Sequence, residues 1–190
     1  LNIYSHAALV EHADLGAVRW VAPVELPLDA VARINPPAQP VCTPAGEAMR
    51  TEVWAFGRVP LSFSARCFTA RHHGVAKDSC GLRCLADPDG LPMNSTDGSS
   101  FLVLNGTQTQ SAAVQCLLGD ADALRAAGAS SLRLSPCSRG FLQVLQDFDA
   151  VINAKRSATT AMAAWPALGV PGPYGNGYAR RQPGMTWSET

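Results

Sequence analysis

Apolar positions along the chain change period several times, and the changes predict an alternation of strands and helices. Ala17–Ala22 is a short apolar run rich in β-formers that Pro23 stops, which predicts a buried strand. Pro27 and Asp29 open a short helix over Leu28–Ile34, with Leu28, Val31 and Ile34 at helical spacing and Asn35-Pro36-Pro37 behind it. Val41–Met49 fits neither period. Glu52–Phe56 predicts a second strand ended by Gly57, and Ser62–Arg71 a helix ended near Gly74. Lys77–Leu91 has no period and is rich in Cys, Gly, Asp and Pro, so it predicts a loop that needs something to hold it. Ser100–Leu104 and Thr107–Ser111 flank Asn105-Gly106, the dipeptide of a type I′ hairpin turn. Asp120–Ala127 carries acids in its first turn, Arg125 in its last and Gly128 just beyond, which signals a helix; Ser131–Ser135 follows as a strand. Phe141, Val144, Leu145, Phe148, Val151 and Ile152 form the clearest amphipathic helix. The Pro/Gly-rich tail, residues 158–190, predicts loop. Strand–helix alternation over most of the length argues for an α/β class with parallel strands.

Composition narrows the function. The chain has 190 residues, enough for one domain with a sizeable core, and 47% of them are hydrophobic, which excludes a disordered chain. Fifteen basic residues balance fifteen acidic ones, so a long-range pull toward nucleic acid or an anionic membrane is not expected. No apolar run approaches the ~18 residues of a membrane span, and Leu1–Val10 does not read as a signal peptide. The first residue is Leu and already lies in a patterned segment, Leu1-Asn2-Ile3-Tyr4, so a fragment or a processed chain is expected.

The chief chemical clue is the placement of the six cysteines, Cys42, Cys67, Cys80, Cys84, Cys116 and Cys137. Three of them, Cys67, Cys80 and Cys84, follow a C-x12-C-x3-C spacing. Thiolates bind zinc and iron–sulfur clusters well, because both accept soft ligands. Unlinked thiols or a redox disulfide would satisfy the same spacing. Charge favours the ligand reading. Between Gly57 and Cys84 stand five cations, Arg58, Arg66, Arg71, Lys77 and Arg83, against one anion, Asp78, and nearby cations favour thiolates and anionic clusters. His72-His73 could complete a mixed Cys/His zinc site, but two residues at a helix C-terminus that favour its dipole explain them as well. No nucleophile-elbow motif accompanies the four histidines, His6, His12, His72 and His73. Asn94-Ser95-Thr96 and Asn105-Gly106-Thr107 match a glycosylation pattern, but a turn explains the second better.

Four stretches taken together carry a resemblance: Val18–Leu26 (VRWVAPVEL), Val53–Arg71 (VWAFGRVPLSFSARCFTAR), Lys77–Cys84 (KDSCGLRC) and Phe101–Thr109 (FLVLNGTQT). They resemble the oxygen-independent ubiquinone-biosynthesis branch of the collagenase-like peptidase family, the "unassigned" peptidases. The similarity runs from Leu1 to about Leu145, with a weaker echo in Asn176-Gly177-Tyr178 and Gly184-Met185. It implies an incomplete (β/α) barrel-like fold, the C-terminal two-thirds of one, with a cysteine-rich loop. Residues 1–190 would form a single barrel-like domain lacking its N-terminal portion. It implies that Cys67, Cys80 and Cys84 are three ligands of a 4Fe–4S cluster, the fourth lying in the N-terminal region that precedes this chain. Cys42 and Cys137 do not stand at family ligand positions. It implies a subunit of a cytoplasmic, oxygen-independent ring-hydroxylase complex that works with a UbiU-like partner as a heterodimer, a lipid-binding UbiT-like protein and a ubiquinone precursor. No catalytic residue is assigned. Two alternatives stay open: a collagenase-like peptidase or RNA-modification enzyme of the same family, and a zinc-stapled binding module without redox chemistry.

Overall fold

The structure, a computed structural model, describes residues 2–189. The chain is mixed α/β, built on a seven-stranded sheet that is mixed and does not close. Two halves with different logic meet in one long strand.

The first half is parallel. Helix α1 (His6–Asp14) starts at Ser5, whose hydroxyl accepts from the Ala8 amide. Strand β1 (Arg19–Val21) follows, then α2 (Leu28–Ile34), which buries Leu28, Val31 and Ile34, the stripe its spacing predicts. Strand β2 (Arg50–Phe63) lies parallel to β1 through Arg50–Glu52 and, on its other side, parallel to β6 (Ala129–Leu134) through Thr51–Phe56. Helix α4 (Ala121–Ala126) precedes β6, and Gly128 beyond it takes φ +75°. Three parallel strands in the order β1-β2-β6, with helices in the connections, follow the βαβ rule.

The second half departs from the all-parallel expectation. Strand β2 does not stop at Gly57. It continues to Phe63 and pairs antiparallel with β5 (Gln108–Cys116), which pairs with β4 (Ser100–Asn105), which pairs with the edge strand β3 (Leu91–Asn94). The helix expected over Ser62–Arg71 is therefore short, α3 (Phe68–His72), because Pro60, Ser62 and Phe63 are paired into the sheet. Gly57 permits the switch: its φ is +117°, and a Cβ there would lie 2.5 Å from the Ser135 Cβ. The Asn105-Gly106 turn forms as the sequence predicts, with Gly106 at φ +61°. The 77–91 loop is compact rather than extended, with 3-10 turns at Lys77–Ser79 and Arg83–Ala86.

Helix α5 (Phe141–Ala154) lays Val144, Phe148 and Val151 on the core. The tail is not a loose loop as its composition predicts. After α6 (Ala158–Met162), Trp165 is fully buried, with its ring 5.7 Å from that of Phe56. Its indole Nε1 donates to Asp147 Oδ2 at 2.8 Å, and buried Asp147 also accepts from Gln143 at 3.1 Å and Arg156 at 3.2 Å. Strand β7 (Tyr174–Gly175) pairs parallel with β5. Arg180 then grips buried Asp120 through Nε at 2.9 Å and Nη2 at 2.7 Å. Among the described residues no helix is long and apolar enough to cross a membrane.

Candidate functional site

The cysteine segment forms a lobe on the hairpin side of the sheet. Main-chain bonds seat it: Ser64 N donates to Thr107 O and Phe68 N to Gly106 O, both at 2.8 Å, while Thr69 Oγ1 accepts from Gly106 N at 3.0 Å. Cys67 is the N-cap of α3, and its sulfur accepts from Ala70 N at 3.4 Å. Cys80 closes the first 3-10 turn. Cys84 lies in the second, which packs against α3. Lys77 Nζ reaches back to Ala65 O at 3.1 Å, and His73 Nε2 lies 3.0 Å from Asp87 Oδ2. All three thiols are free and half-exposed, and neither 3-10 turn buries a single residue.

The sequence reading expects these three sulfurs to converge. Among the described residues no group of three or more His, Cys, Asp or Glu side chains stands close enough to hold a metal ion. Cys67, Cys80 and Cys84 lie in one lobe but do not form such a group among the described residues. His73 is spoken for by Asp87 rather than directed to a thiol.

The other cysteines separate cleanly. Cys116 is fully buried on β5, and burial pushes its thiol up to about 12. Cys42 is exposed and donates to Pro40 O at 3.4 Å. We expect iodoacetamide at pH 8 to modify Cys42, Cys67, Cys80 and Cys84 in the native protein and to spare Cys116, whose thiolate fraction is on the order of one in ten thousand there. Peptide mass spectrometry reads this directly; native alkylation of Cys116 at the rate of Cys42 would contradict the packing.

A second site was not legible in the sequence. Where the parallel pairing of β2 with β6 ends lies a pocket of about 260 Å³, lined by Gly57, Arg58, Asp89, Asn105, Ser135 and Cys137 among others. Ligands of open α/β sheets bind at this end of the strands. Arg58 Nη1 donates to Ser111 O at 3.1 Å and to Ala112 O, while its Nε is buried without a partner among the described residues. Burial lowers the Arg58 pKa, and the charge of Asp89 opposes this. Asp89 is fixed by Ser138, whose amide donates at 2.8 Å and whose hydroxyl donates to the other oxygen. Burial raises the Cys137 thiol, with Asp89 adding to the effect. A fixed cation and a fixed carboxylate around a small cavity can orient a polar ligand. The sequence reading counted Arg58 only toward local charge and set Cys137 aside; the sole local signal was a charged or Cys residue one to three positions past a strand end.

A third feature is an apolar cleft of about 720 Å³ between the sheet and the tail, with Val59, Leu61, Phe101, Tyr178 and Met185 in its wall. No family profile matches the chain, and no solved structure matches it.

Proposed function

We propose that the chain is the UbiV-type subunit of an oxygen-independent ring hydroxylase of ubiquinone biosynthesis, an iron–sulfur protein of the collagenase-like peptidase family. The observation that carries this reading is the C-x12-C-x3-C spacing on a single, cation-rich lobe, with all three thiols free and half-exposed. Cys67, Cys80 and Cys84 would each give one thiolate to a 4Fe–4S cluster, with the fourth ligand outside this chain. Because the sulfurs are not preassembled, ligation would draw the two 3-10 turns together, as metal binding commonly orders its own loop. A bound cluster supplies electron transfer.

Two further observations support the reading. The parallel arc β1-β2-β6, with helices in its connections, suits a barrel-like parent fold. The apolar cleft offers a prenylated ring a dry wall, and the Arg58–Asp89 pocket offers a polar co-substrate fixed charges. A UbiU-like partner, a UbiT-like lipid carrier and a cytoplasmic location belong to the same proposal.

Metal analysis tests it. Protein purified without oxygen, together with the N-terminal region that supplies the fourth ligand, should be brown and carry iron and acid-labile sulfide in equal amounts. A colourless protein with stoichiometric zinc would replace the proposal with the zinc-stapled module.

A further inference from the structure

The cysteine lobe has a second property that ligation does not explain. Its surface joins large exposed aliphatic side chains to unpaired cations. Leu82 and Leu85, on the second 3-10 turn, are 64% and 75% exposed, and Phe63, where β2 enters the lobe, is 72% exposed. Leu82 has φ +54°, a left-handed conformation that a bulky residue rarely adopts. The same segment carries Arg66, Arg71, Lys77 and Arg83, all exposed. None of the four is in an ion pair among the described residues; Lys77 bonds only to the Ala65 carbonyl. Between Ser64 and Asp87 the acids are Asp78 and Asp87, and Asp87 is engaged by His73. A chain of zero net charge thus places an excess of positive charge on a segment that also exposes Leu82 and Leu85.

We infer that this lobe docks on an anionic lipid surface, with Leu82, Leu85 and Phe63 entering the interface and the four cations meeting lipid head groups. Interfacial anchoring combines an apolar wedge with a basic rim, each Lys or Arg near an anionic leaflet adding to the attraction. Charge complementarity selects an anionic occupant. The wedge selects lipid over nucleic acid, because single strands are held by stacking on aromatic platforms, and this lobe offers aliphatic tips with one exposed Phe at its entry. The inference goes beyond the proposed hydroxylase role and does not depend on a cluster.

Vesicle co-sedimentation tests it. The chain should sediment with vesicles of phosphatidylcholine containing 30 mol% phosphatidylglycerol, and at least five-fold less with pure phosphatidylcholine or in 0.5 M NaCl. Leu82→Ser with Leu85→Ser should lower partitioning about ten-fold, and Arg71→Gln with Arg83→Gln at least five-fold, whereas Lys155→Gln on the far helix α5 cap should change nothing. Absence of binding, binding indifferent to these changes, or tighter binding to poly-uridylate than to the anionic vesicles would overturn the proposal. Leu85→Trp gives a reading without loss of function: its fluorescence should shift blue and be quenched by brominated lipids in the anionic vesicles. An unshifted spectrum would equally overturn it. Iron content plays no part in these outcomes, so failure here leaves the cluster proposal standing, and the reverse.

Discussion

Replacing Trp165 by alanine is expected to cost about 3–5 kcal/mol, the range for removing a buried aromatic side chain. That is a large share of the ~5–15 kcal/mol that holds a domain of this kind together. Trp165 is fully buried, edge-to-face with Phe56 at 5.7 Å and with Tyr174 at 5.7 Å. Its loss would open a cavity beside Phe56, the ring that also meets Phe141 and Phe148. It would also take one donor from Asp147, a buried carboxylate then left to Gln143 and Arg156. Trp187 supplies the comparison: it is 37% exposed and touches Tyr174 at 5.9 Å, so Trp187→Ala should cost less than a third as much. Urea denaturation should lower the midpoint strongly for the first variant at unchanged slope. A loss below about 1 kcal/mol for Trp165→Ala would mean that the tail is not part of the core.

The elements that could be read from the sequence are those whose signals are local. Helix α2 spans the predicted Leu28–Ile34, α5 ends two residues past its last apolar position, and the Asn105-Gly106 hairpin forms where a turn of that type requires it. Helix α1 was missed because it buries only Leu9 and Ala13, too narrow a stripe to show a period. The length of β2 was missed for another reason. Gly57 reads as a terminator, yet a long-range partner, β5, supplies the pairing that carries the strand past it and past Pro60, with register shifts on either side of Pro60. Strand β3 contains Pro92, which an edge strand tolerates. The tail looked unstructured because its anchors, Trp165 on Asp147 and Arg180 on Asp120, join positions 18 and 60 residues apart. The same division governs the sites. Three cysteines close in sequence were visible as a cluster; Arg58, Asp89 and Cys137 share a pocket only because Gly57, the 3-10 segment and the end of β6 are brought together by the sheet.

In the protein carrying all four proposed ligands, alanine at Cys67, Cys80 or Cys84 is expected to remove most of the bound iron and sulfide. Each thiolate would hold one corner of the cluster, and a corner left without its ligand exposes the cluster to loss. Cys42→Ala and Cys116→Ala should keep the iron, the first because Cys42 is exposed outside the lobe, the second because Cys116 is sealed in the core. Cys116→Ala should cost stability instead, about 1 kcal/mol for a small buried side chain. Cys67 allows a sharper comparison, since its sulfur caps α3 by accepting from Ala70 N at 3.4 Å. Serine at this position preserves the cap, being among the best N-cap residues, but offers a hard oxygen where a soft thiolate is wanted. Cys67→Ser should therefore match the parent in thermal stability measured without metal and still lose the cluster, whereas Cys67→Ala should lose both the cluster and about 1 kcal/mol of stability. Iron retained at parental level in Cys67→Ser and Cys67→Ala alike, or lost as completely in Cys116→Ala, would assign Cys67 to helix capping alone and place the ligands elsewhere.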